Sequence, residues 1–341
     1  MPSERDRRQW PGTLPPAAGS PRRGPGSVRR TTSVDIERPA GPSGDLVLTG
    51  RGRDLLTTAD GTSVAVAQAH TSVVIDFVGD RRIRSVHADP PVDGIEALVG
   101  ARAGSGFRRQ LAEAVPELAS TGSLVHLLLD DTTPAVLISG SSLAREGLLT
   151  LVADRGRARL PFGICAGWQH GGAMEEAIAE TGVPLLGWGP PAPDLGDGSD
   201  PDAWHDMPAL APASMRRRRR LDVAAVDGRL VVDVRYRDSY WERDGAETVV
   251  HEYAVEAAVD LAERRLVGAV AHPGPLPAPA CPTAAASAAD LAGVGLDELR
   301  DVVRERFVGV STCTHLNDVL RSLADVGALW DAAEATGAVL S

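Results

Sequence analysis

The segment Leu230-Val231-Val232-Asp233-Val234-Arg235-Tyr236-Arg237-Asp238 alternates in character along its length, and Leu46-Val47-Leu48-Thr49-Gly50-Arg51-Gly52-Arg53-Asp54 reads the same way. Upstream of each lies a basic stretch, Arg29-Arg30 before Val34-Asp35-Ile36 and Arg217-Arg218-Arg219-Arg220 before Leu221-Asp222-Val223. Downstream, 22 residues separate Asp54 from Asp76, and again 22 separate Asp238 from Asp260. A further pair, Gly122-Ser123-Leu124-Val125-His126-Leu127 and Ser311-Thr312-Cys313-Thr314-His315-Leu316, follows in the same order. Several matches in one order predict two copies of one lobe.

Within each lobe the period of two marks half-buried strands, with Val64, Val66, Val73, Ile75 and Phe77 in the first and Val232, Val234, Val255, Ala257 and Val259 in the second facing a core. Asp60-Gly61, Asp227-Gly228 and Asp244-Gly245 are hairpin breaks between them. Helical spacing then takes over, as in Leu296, Leu299, Val302 and Val303, and in Leu316, Val319, Leu320 and Leu323. The expected fold is α+β: two tandem antiparallel β-meanders, each packed on helices. Residues 1–30, rich in Arg, Pro and Gly and without the apolar segment of a secretory leader, read as a disordered tail. Residues 31–156 form the first lobe, 157–214 an inter-lobe segment rich in Pro, Gly and Asp, and 215–341 the second lobe.

The chain has 341 residues and a formal net charge of -11, which argues against nucleic acid or anionic membranes as partners. No apolar run approaches the ~18–20 residues that cross a bilayer. Three cysteines are an odd number in a long chain and suggest no disulfide framework. A reducing cytoplasm is the expected compartment, and a small molecule the expected ligand.

The chemistry-bearing residues gather in the second lobe. Cys281-Pro282 opens one helix-like stretch and Cys313-Thr314-His315 another, so both thiols fall near helix starts, where the dipole favours a thiolate. Cys281, Cys313 and His315 are three soft or borderline ligands, enough for zinc or iron with one position open. Asp318, one turn beyond His315, is placed to orient its ring. His251, on a predicted strand, and Asp238 are candidates for acid–base work in the same cleft. Cys165 is a possible third thiol delivered by the inter-lobe segment. The plainer alternative is that the cysteines are small buried hydrophobes and His315 only caps a helix. Arg216 to Arg220 reads as a solvated strand edge, and Gly104-Ser105-Gly106 as a helix start.

Through Asp222-Val223, Val259-Asp260, Arg265-Leu266, Cys281-Pro282-x-Ala284 and Thr312-Cys313-Thr314-His315-Leu316-Asn317-Asp318, residues 215–329 resemble the domain-of-unknown-function family 2889. The first lobe is similar more faintly, through Leu98-Val99-Gly100 and Gly106-Phe107-x-Arg109. More distantly, the order of strands and Cys-led helices resembles the iron–sulfur cluster assembly scaffold fold, which implies Cys281, Cys313 and His315 as ligands. A middle cysteine of that family is missing here, and His315 follows Cys313 by two instead of adjoining it. Three functions remain in view. They are a zinc- or iron-dependent enzyme acting on a small molecule, a metal or iron–sulfur carrier without turnover, and a metal-free ligand-binding or structural protein. Oligomeric state is not written in these residues.

Overall fold

A computed structural model of the chain describes residues 9–148, 160–185, 188–196 and 198–337. The alternating segments form eight strands: β1 Ser27–Glu37, β2 Leu46–Thr57, β3 Ser63–Ile75, β4 Ile83–Asp89, β5 Met215–Val226, β6 Arg229–Trp241, β7 Glu247–Asp260 and β8 Leu266–Pro273. All pairings are antiparallel, and the sheet runs β4-β3-β2-β1-β5-β6-β7-β8. Each half of the chain therefore supplies one four-stranded meander, and the halves join where β1 pairs with β5. The α+β class expected from the sequence holds. In the β5–β6 hairpin, Asp227 and Gly228 both take positive φ, 49° and 74°, the conformation that a tight two-residue turn between twisted strands requires.

Among the described residues there are eight α-helices. Four follow the first meander: α1 Phe107–Ala114, α2 Pro116–Ser120, α3 Leu124–Asp130 and α4 Thr132–Arg145. Next comes α5, Ala173–Thr181, and after the second meander α6 Leu299–Arg306, α7 Thr314–Ser322 and α8 Val326–Glu334. A 3-10 helix, Cys281–Leu291, runs beside β8. Both α4 and α8 lie across the seam strands β1 and β5. Apolar side chains make two main cores, one of β5–β8 with the 281–291 helix, α6, α7 and α8, the other of β1–β4 with α1, α3 and α4.

Two readings change. Arg216 to Arg220 belong to a strand in the middle of the sheet, not to a solvated edge, and every one of the five is buried. Alternation sends Arg217 and Arg219 toward the helices, where they meet Asp131, Asp238 and Asp318. The other three turn to Asp35, Glu247, Asp222 and Asp233. Sequence pattern missed this because three of the neutralising carboxylates, Asp35, Asp131 and Asp318, arrive from distant elements. The stretch read as a disordered tail also has a place from residue 9 on. Trp10 donates to the Leu276 carbonyl, the Leu14 amide to Pro273, and Arg23 pairs with Asp200 at 2.8 Å. Residues 9–26 and the segment about Leu195–Met207 share a small apolar cluster of Ala17, Leu195, Ala203, Trp204 and Met207, which ordered contacts reward where composition alone promises none.

Candidate functional site

Asp238 lies directly across the ladder from His251. One step further the register shifts, Ser239 opposing Val249, so Val250 is an extra residue on β7. A bulge of this kind bends the strand and re-aims the neighbouring side chain. The third member, His315, sits in the first turn of α7, whose N-cap is Cys313. Its ring stacks on that of His251 with centroids 3.8 Å apart and planes 20° apart. His251 Nδ1 is 3.5 Å and His315 Nε2 3.8 Å from the same oxygen, Asp238 Oδ2.

Both of those ring nitrogens are buried and lack a hydrogen-bond partner. Unmade bonds on buried polar atoms cost about 1–3 kcal/mol each, so two on one carboxylate oxygen call for an explanation. Among the described residues, Asp238, His251 and His315 are the one group of three or more potential metal-binding side chains, with ligand atoms all within 4.8 Å of one another. Asp238 is wholly enclosed, while the two imidazoles keep 11% and 10% of their side-chain surface open.

What holds Asp238 is a network. Arg217 donates to it through Nε at 3.0 Å and Nη2 at 3.3 Å, and the Tyr236 hydroxyl donates to Oδ2. Burial pushes the Asp238 carboxyl up, but Arg217 and the two imidazoles outweigh it and hold the group far below the ordinary carboxylate range. Burial and the adjacent His251 ring together keep His315 well below the usual imidazole value, so it is a neutral donor of its lone pair at neutral pH. Arg108, Arg217, Arg219 and Arg321 interlink with Asp130, Asp131, Asp238 and Asp318, four charges of each sign. The guanidinium and carboxylate charges of this array cancel one another.

The residues singled out from the sequence are distributed as follows. Asp238, His251 and His315 come together. Asp318, expected to orient His315, instead gives its oxygens to Arg108 and Arg217. Cys281 and Cys313 do stand at helix starts, the first residue of the 3-10 helix and the N-cap of α7. They do not join the His315 group. Their thiols face Tyr253 and Cys165 instead: the Tyr253 hydroxyl is pushed far up by burial and by the nearby Cys313, Cys281 and Cys165. Cys165 does arrive from the inter-lobe segment, its neighbour Ala166 donating to the Thr312 carbonyl at 2.9 Å. All three thiols are free and buried. Burial overrides the helix dipole, raising Cys313 to about 11 and holding Cys281 well above the ordinary thiol value. Sequence reasoning passed over Arg217 and Tyr236 as site residues. The signal was the period of two, which puts Tyr236 on the same face as Asp238.

Residues 215–328 match the model of the family described as Protein of unknown function (DUF2889). That third of the chain contains Asp238, His251, His315, Cys281 and Cys313, and the match supports the family resemblance for this part. No curated protein and no solved structure matches the chain. The likeness to an iron–sulfur scaffold fold finds no support. Among the described residues no helix is long and apolar enough to cross a membrane.

Proposed function

We propose that the protein is a zinc- or iron-dependent enzyme acting on a small molecule, with Asp238, His251 and His315 as the metal ligands. The observation that carries this reading is the pair of partnerless imidazole nitrogens facing one carboxylate oxygen. Two nitrogens and one oxygen suit zinc and iron(II) alike, and three protein ligands leave a position for water or substrate. There the ion would act as a Lewis acid or lower the pKa of bound water. Arg217 and Tyr236 would fix the Asp238 carboxylate from behind, as partners of metal-bound carboxylates do. Since the surrounding array is neutral, a divalent ion must bring an anion with it or expel protons. Three free thiols fit a reducing compartment such as the cytoplasm.

The two meanders support a specialised second half. Across β2–β3 the residue opposite Asp54 is Ala67, whereas across β6–β7 the residue opposite Asp238 is His251. Arg30 pairs with Asp54 as Arg217 pairs with Asp238, so we read the halves as copies; the first keeps His126 at the place of His315 but has Ala67 where the second has His251.

The near-parallel ring stack favours one other reading, a metal-free pair of imidazoles oriented by Asp238 for proton transfer. Elemental analysis of full-length protein purified without chelators separates the two. One equivalent of zinc or iron, lost in His251→Ala and in His315→Ala but kept in Cys313→Ser, is the expected result. Protein free of metal, or metal that leaves with Cys313→Ser and stays in the histidine variants, would refute the ligand assignment.

A further inference from the structure

A groove of about 600 Å³ opens between the 3-10 helix Cys281–Leu291 and the α6–α7 connection, lined by Thr283, Ser287, Asp290, Arg306, Phe307 and Thr312 among others. Its volume is in the range that small-ligand clefts take. Phe307, almost fully buried, contributes an apolar element to its lining. Asp290 and Arg306 are both exposed, and among the described residues neither side chain has an ion pair or hydrogen bond, although they line the same groove. Elsewhere in this chain even buried arginines find carboxylates.

The hydroxyls set the polarity of the remaining wall. Thr283 donates its hydrogen to the Ala280 carbonyl at 2.7 Å, Ser287 to Ala284 at 2.8 Å and Thr312 to Gly309 at 3.1 Å. With their hydrogens committed, these three oxygens can offer only lone pairs to a ligand, while the Ser311 hydroxyl in the same lining remains able to donate. Together with the Asp290 carboxylate they make an acceptor-rich wall, suited to an ammonium group. Arg306 is the cationic counterpart, suited to a carboxylate. We propose that this groove is a binding site for a small zwitterion, an amino acid or ω-amino acid whose ammonium meets Asp290 and the hydroxyls and whose carboxylate meets Arg306. The site is separate from Asp238, His251 and His315 and stands whatever those residues bind.

Calorimetric titration of the full-length protein with glycine, γ-aminobutyrate and ε-aminocaproate tests this and, through their graded length, measures the charge separation the groove accepts. Acetate and propylamine are the single-charge controls. At least one zwitterion is expected to bind more tightly than either control, and Asp290→Asn and Arg306→Gln are each expected to weaken it about tenfold. Both positions are exposed, so thermal melts of the variants should match the parent. The proposal is overturned if no zwitterion outbinds the controls. It is equally overturned if Asp290→Asn leaves binding unchanged, which would make the groove a plain anion site.

Discussion

Acidification should weaken the fold through His205, a residue outside the group of metal-ligand candidates. Its ring is 8% exposed and is held on both sides, Nε2 at 2.8 Å from Ser33 Oγ and Nδ1 at 2.9 Å from Thr31 Oγ1. Burial, and then Arg53, Arg216 and Arg51, lower its pKa to about 3. In the unfolded chain an imidazole titrates near about 6.5. Between those two values the unfolded state binds a proton that the folded state refuses. The stability in question is thus complete above about pH 6.5 and falls as the pH drops toward 3. At about pH 5 the loss is ~1.5 pH units at ~1.4 kcal/mol each, roughly 2 kcal/mol. Urea denaturation of the parent and of His205→Asn, each at about pH 7.5 and about pH 5, isolates this share from other titrating groups. The variant starts less stable, having lost a hydroxyl contact, yet its acid loss should be smaller than the parent's by roughly 2 kcal/mol. Equal acid losses in the two proteins would show that His205 is not held neutral.

Other outcomes follow from single contacts. Asp131→Asn strips one carboxylate from both Arg217 and Arg219 and should cost about 3–5 kcal/mol in chemical denaturation, since it leaves buried charge uncompensated; a loss under about 1 kcal/mol would mean water reaches those guanidiniums. In Gly167→Ala the new Cβ would stand 2.6 Å from Cys281 Sγ, too close for any real contact. A loss of about 1–3 kcal/mol is expected, and combining it with Cys281→Ala should restore part of it, whereas additive losses would contradict the clash. Tyr236→Phe removes a donor to Asp238 Oδ2 and should cost about 1–2 kcal/mol by the same assay, with no measurable cost arguing against that bond.

The strand pattern was open to reading because it rests on local alternation. Leu230 to Asp238 and Leu46 to Asp54 announce β6 and β2 by period alone, and Asp227-Gly228 marks the hairpin. The site was half visible. Asp238, His251 and His315 all stood out as polar residues at strand or helix-start positions, yet their grouping depends on which strand lies beside which and on the bulge at Val250. Nothing local encodes either. The cysteines misled for a related reason: a helix start favours a thiolate only when the sulfur is not buried, and burial is a tertiary property. Arg216 to Arg220 failed the same way, because a run of like charge looks solvated until its counter-ions, 80 or more residues away in the case of Asp131 and Asp35, are in place.

Asp131 and Asp325 stand at the N-caps of α4 and α8, yet neither side chain caps its own helix. Asp131, from the first half, serves Arg217 and Arg219 of the second, and Asp325, from the second, serves Arg30 of the first at 3.2 Å. The two halves are thus mutual creditors of charge. A fragment ending between them would strand guanidiniums in an apolar interior, so residues 215–328 alone are expected to be insoluble or molten although they span the whole family match. Supplied as separate polypeptides in one cell, the halves should instead rescue each other by reassembling along β1 and β5.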